Sequence, residues 1–186
     1  MKKFTVKDLM VPISEYATVP EGSTVLDAVV ALEKAQEDFA HTRYSHRAVL
    51  ILGKDGRVIG KLSQFDFLRS LEPGGGHAGG LADIDKFGFS AKAVALQREQ
   101  YRLQDVPLEE IFQEAAKLKV EEFMQTPSES EYIEANTSLH TAIHQMIIDP
   151  TLSLLVVEKQ KIVGILRLSD VFGAVFHTMQ KSVETE

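Results

Sequence analysis

The sequence says nearly the same thing twice. Val6-Lys7-Asp8-Leu9-Met10 is answered 114 positions on (120 minus 6) by Val120-Glu121-Glu122-Phe123-Met124. Gly60-Lys61-Leu62-Ser63-Gln64-Phe65-Asp66 is answered 104 positions on (164 minus 60) by Gly164-Ile165-Leu166-Arg167-Leu168-Ser169-Asp170. A repeat of this length constrains the fold more than any local pattern. Two copies of one unit imply pseudo-two-fold symmetry, and the cleft between them is a natural ligand site.

Within the first copy, Tyr16-Ala17-Thr18-Val19 reads as a short extended strand. Thr24 with Asp27 makes a capping-box-like helix start, and Val25, Ala28, Val29 and Leu32 follow the helical period. Ala48–Leu52 is a continuous apolar run, the mark of a buried strand. Asp55-Gly56 predicts a hairpin turn into a returning strand over 57–62 and a helix from Gln64 to about Leu71. The second copy repeats the order. Tyr132-Ile133 is the short strand, and Thr137-Ser138 caps a helix that Asp149-Pro150 ends. Leu152–Val157 and Ile162–Leu166 form a hairpin through Lys159-Gln160, and a last helix runs from Ser169 to about Met179.

The reading is an α+β chain of two repeats, each strand-helix-strand-strand-helix, packed with pseudo-two-fold symmetry. Residues 1–72 form the first repeat and 119–186 the second; 73–118 is a glycine-rich linker and helical insert. In the insert, Gly74–Gly80 reads as flexible and Ser90 opens a helix toward Leu103. Pro107 suits the N1 position of a further helix with Leu108, Ile111, Phe112 and Ala115 on one face, running into Val120.

Composition excludes several classes. There is no cysteine, so thiolate metal sites, cysteine nucleophiles and disulfides are ruled out. The net charge of −7, with basic residues clustered only at Lys2, Lys3 and Lys7, speaks against nucleic acid. The first residues have no apolar stretch behind their charges, and no run approaches the ~18 apolar residues of a membrane span. The expectation is a cytoplasmic protein that contacts neither nucleic acid nor membrane.

Two copies of [Asp/Glu]-x-Met, a capped helix, an apolar hairpin and Gly-x-x-x-x-x-Asp together resemble a tandem pair of CBS (cystathionine-β-synthase) domains, the Bateman module. The resemblance implies a stand-alone regulatory protein that binds an adenosine-containing ligand (AMP, ADP, ATP or S-adenosylmethionine) between the repeats. It implies a homodimer that signals to an effector protein by changing shape. In ligand-binding members a Ser or Thr stands three residues before an Asp. The Asp accepts from the ribose hydroxyls, and the Ser or Thr and helix N-terminus meet phosphate. Ser63 and Asp66 match this pattern, and Asp170 matches in the second repeat. There Arg167 replaces the Ser or Thr, either to pair with a phosphate or to occupy the cleft itself. His46 and Arg47, which enter the Ala48 strand, and Tyr16 and Thr18 complete the candidate ligand-binding set. The alternative is a homodimerisation module whose clefts are vestigial.

Each motif also has a plainer reading. Ser63-x-x-Asp66 is equally a capping box, and both roles are compatible. His41 and Arg43 read as solvated loop. His140 and His144 have one-face metal spacing, but no third ligand accompanies them, so they read as exposed helix residues. The glycine run around His77 lacks the ending of a P-loop. No nucleophile–base–acid constellation is evident, so the expectation is no catalytic residue, no metal site and no required cofactor.

Overall fold

A computed structural model describes residues 4–38, 45–71 and 107–183. The Gly74–Gly80 run, the helix expected from Ser90 to Leu103, and His41 and Arg43 lie outside the described residues.

The first repeat contains β2 (Thr18–Pro20), α1 (Val25–Asp38), β3 (Ala48–Leu52), β4 (Val58–Ser63) and α2 (Gln64–Ser70). The second contains β5 (Tyr132–Glu134), α4 (Leu139–Ile148), β6 (Ser153–Glu158), β7 (Lys161–Arg167) and α5 (Leu168–Val183), with the insert helix α3 (Leu108–Lys117) ahead of it. A two-residue strand, β1 (Val11–Pro12), precedes them all. One sheet has the order β2-β3-β4 and the other β1-β7-β6-β5. The α+β duplication expected from the repeat is the fold observed.

Local chemistry explains the element ends. Thr24 and Asp27 form the anticipated box: the Thr24 hydroxyl donates to Asp27 Oδ2 at 2.8 Å and accepts from the Asp27 N–H at 3.1 Å. Ser138 caps α4, accepting from the Thr141 N–H at 3.2 Å. Gly56 takes φ +75° in the first hairpin, and Lys159 and Gln160 take φ 52° and 65° in the second. Two positive φ values match the twist of a two-residue hairpin, here without glycine. Pro107 is the N-cap of α3 rather than its first residue. The helix ends at Lys117 instead of continuing into Val120, which begins a separate 3₁₀ turn.

The repeats are interleaved. Val11 of β1 pairs with Ile165 of β7, and Gln125 pairs with Lys61 of β4. The same exchange recurs where the Val6 N–H bonds to the Thr137 carbonyl and the Val120 N–H to the Ser23 carbonyl. Val6 lies in a core with Ile133, Leu154 and Leu166, and Val120 and Phe123 lie in one with Val19, Val49 and Ile51. Each copy's leading segment therefore completes the other copy's core. Met10 packs on Gly164 and Met124 on Gly60, which explains why the methionine and glycine motifs repeat together.

A third core joins the two sheets. Leu50 of β3 and Leu155 of β6 meet Val11, Tyr16 and Ile165 there, while their neighbours Val49, Ile51, Leu154 and Val156 face the helices. These strands are buried on both faces, hence their unbroken apolar runs.

Candidate ligand-binding cleft

Between the repeats lies a cavity of about 810 Å³. Its wall draws on both halves: Tyr16, Arg47, Lys61 and Ser63 from the first, Glu131 and Arg167 from the second. Gln125, on the segment leading into the second repeat, also lines it. The volume is that of a small-molecule site.

Ser63 and Asp66 sit at the start of α2. Ser63 is its N-cap, and its hydroxyl accepts from the Asp66 N–H at 3.2 Å. Asp66 Oδ2 accepts from the Ser63 N–H at 2.9 Å and the Ser63 hydroxyl at 2.6 Å. Oδ1 accepts from the Gln125 side chain at 2.8 Å and meets Arg69 Nη1 at 3.2 Å. The Asp66 residue is fully buried, so these bonds replace the water that ionised oxygens require. The Gln64 N–H is also engaged, with the Arg47 carbonyl at 3.0 Å. Two of the first N–H groups of α2, those of Gln64 and Asp66, are thus taken. The cationic residues that the first repeat contributes to the cavity lining are Arg47, which is exposed, and Lys61.

Lys61 is buried and forms an ion pair with Glu131. The pair joins β4 to the turn before β5 and thus spans the repeats. Backbone bonds between Lys61 and Gln125, 2.9 and 2.8 Å, tie the same place.

At the other carboxylate the arrangement differs. Arg167 is buried at the end of β7 and donates from Nε and Nη2 to Asp170, at 2.6 and 2.7 Å. Its Nη1 lies 3.3 Å from His46 Nδ1. The His46 ring is buried, edge-on to Tyr16 at 4.6 Å between centroids, and its backbone N–H donates to Gln36 at 2.8 Å. Burial holds the His46 imidazole below its ordinary value of 6.5, and the Arg167 charge adds to the effect; Asp170 opposes it. Burial pushes the Tyr16 phenol up to about 12, with Arg167 acting the other way, so it stays neutral at ordinary pH.

The structure groups the candidates crosswise. His46 and Tyr16 of the first repeat stand with Arg167 and Asp170 of the second. Ser63 and Asp66 stand with Gln125, which sequence reasoning missed, as it missed Lys61, Arg69 and Glu131. The signal for Gln125 was its place directly after the repeated methionine, where the first copy has Val11. Thr18 lines a separate hollow of about 430 Å³ with Glu15 and Lys34. His140 and His144 are exposed on α4. Among the described residues no three His, Cys, Asp or Glu side chains gather to hold a metal, and no helix is long and apolar enough to cross a membrane.

The sequence matches the model of the CBS domain over residues 6–73 and again over 120–177. No curated protein matches it in sequence. Among solved structures, CBSX2 in complex with AMP is 18% identical with a TM-score of 0.59, covering 94% of this chain and 97% of that one. A putative acetoin utilization protein from Vibrio cholerae is 19% identical with a TM-score of 0.58, covering 100% and 99%. An uncharacterized conserved protein from Pyrococcus horikoshii is 18% identical with a TM-score of 0.58, covering 94% and 95%. At these identities the likeness concerns the fold. With two matched regions that together take up most of the sequence, the chain belongs to the CBS domain family, as a tandem pair.

Proposed function

We propose that this CBS pair is a regulatory protein that binds an adenosine-containing ligand between its repeats and passes its occupancy to a partner protein through a change of shape. The observation that carries the reading is the 810 Å³ cavity walled by both repeats, with Arg47, Lys61, Ser63 and Arg167 on its surface. Cations and hydroxyls suit phosphate, and a carboxylate accepts from two vicinal hydroxyls at once. Asp66 and Asp170 are the ribose acceptors on this reading, and Arg47 is the phosphate contact at the Ser63 end. The solved structure of CBSX2 with AMP, a protein of the same fold, supports the ligand class. The protein performs no catalysis in this role and acts inside the cytoplasm as a homodimer. Phe65 and Leu68 on α2, with Phe172 and Phe176 on α5, are exposed apolar residues suited to the dimer contact.

A second reading is favoured by a specific observation. Both carboxylates already have partners within the protein, Asp66 in Gln125 and Arg69, Asp170 in Arg167. A module with vestigial clefts would have this property, serving for dimerisation alone.

Calorimetry and thermal shift with AMP, ADP, ATP and S-adenosylmethionine separate the two. A ligand at 100 times its dissociation constant stabilises the protein by about 2.7 kcal/mol. No response from any of the four at millimolar concentration would leave the vestigial reading standing.

A further inference from the structure

We propose that Gln125 is the gate of the first cleft: its side chain covers Asp66, and a ligand's ribose hydroxyls reach that carboxylate only by taking the place of the Gln125 amide. This rests on the reading of the cavity as an adenosine-ligand site. Gln125 lines the cavity, Asp66 is fully buried beside it, and the amide donates to Asp66 Oδ1 at 2.8 Å. Asp66 itself does not line the cavity, and Gln125, which does, bonds its Oδ1.

The other donors to Asp66 come from the first repeat itself. Ser63 holds Oδ2 as part of the helix cap, and Arg69 approaches Oδ1 along α2. Gln125 alone among these comes from the leading segment of the second repeat. Its backbone is pinned by two hydrogen bonds to Lys61, and Met124 beside it packs on Gly60. The side chain can therefore swing away by rotation about its own bonds while the strand pairing stays in place. A ribose hydroxyl is a donor, as the amide is, so the exchange leaves Oδ1 satisfied.

The gate has no counterpart at the second carboxylate. Val11 pairs with Ile165 as Gln125 pairs with Lys61, and valine has no donor to offer. Asp170 is instead covered by Arg167 from its own repeat. The two acids are masked by different chemistry across the repeats: at Asp66 the other repeat supplies a neutral amide that a hydroxyl can replace, beside Arg69 of its own helix, whereas at Asp170 the cover is a charged two-bond fork. A neutral donor is the weaker competitor, which makes Asp66 the acid that a ligand uncovers first.

The test is calorimetric titration of wild type and Gln125→Ala with AMP and with its dideoxy analogue, which lacks both ribose hydroxyls. Gln125→Ser serves if the alanine variant does not fold. The variant should bind AMP about ten-fold more tightly, the order expected when a competing hydrogen bond to a carboxylate is removed. The gain should vanish with the dideoxy analogue. AMP binding to the variant alone would also support the gate. Wild type and variant binding AMP equally, or the variant more weakly, would overturn the gate and leave the adenosine reading intact. A gain that persists with the dideoxy analogue would likewise overturn it. AMP binding to neither protein would overturn the gate, whereas the adenosine reading falls only if ADP, ATP and S-adenosylmethionine also fail to bind wild type.

Discussion

Arg167 holds Asp170 with two parallel hydrogen bonds, 2.6 and 2.7 Å long, at the position where the first repeat has Ser63. From this position one copy gives its acid a guanidinium and the other a hydroxyl cap. Replacing Arg167 by Ala strands a largely buried carboxylate and should cost about 2 kcal/mol. Replacing it by Ser rebuilds the Ser63–Asp66 pattern and should recover about 1 kcal/mol of that loss. Urea denaturation of the two variants checks this; equal losses would show that the serine does not cap α5.

His46 makes the fold sensitive to acid. Its folded-state pKa lies below 6.5 because of burial and then Arg167, with Asp170 opposing. The unfolded chain therefore takes up the proton more readily than the folded one. The stability His46 contributes is fully present above pH 6.5 and is lost as pH falls below that value toward its folded pKa. The melting temperature should drop between about pH 7 and pH 5, and His46→Asn should flatten that limb. An unchanged acid limb in the variant would assign the loss to other groups.

The two motif glycines should differ in their tolerance of a methyl group. A Cβ at Gly164 would lie 2.5 Å from the Val11 carbonyl oxygen and 3.0 Å from Met10 Sδ. Backbone cannot step aside, so Gly164→Ala should cost about 3 kcal/mol and loosen β1. The three atoms nearest a Cβ at Gly60 all belong to the Met124 side chain. Gly60→Ala should cost about 1 kcal/mol, and Met124→Ala in the same protein should remove part of that cost. Thermal melts of the single and double variants decide it. Rescue of Gly164→Ala by Met10→Ala would contradict the backbone clash.

Asp66 serves the fold as well as any ligand. Asp66→Ala removes the acceptor of the Ser63 N–H and hydroxyl, the Gln125 amide and Arg69. The loss should be about 2 to 3 kcal/mol by chemical denaturation, and a loss below 0.5 kcal/mol would mean that water replaces the carboxylate freely. Binding measurements on this variant therefore need a check of its folding beside them.

Much of this was legible in the chain. Ala48–Leu52, the Asp55-Gly56 turn and the caps at Thr24, Ser63 and Ser138 stand where short-range chemistry puts them. The apolar runs of β3 and β6 announced strands buried on both faces. The less legible part was α3, whose stop at Lys117 frees 118–125 to reach the first repeat. The crosswise grouping of the site was hidden for the same reason. Ser63 and Asp66 are neighbours in sequence, whereas Gln125 reaches Asp66 only through the exchange of leading segments.

The duplication, the order of elements and the presence of two unlike acids, Asp66 and Asp170, follow from the chain alone. Turns, caps and burial periodicity act within a few residues, which makes these features local. Which partner each acid receives depends on long-range packing. Met124 against Gly60 and Met10 against Gly164 set the register between segments far apart in the chain, and that register brings Gln125 to Asp66 and His46 to Arg167.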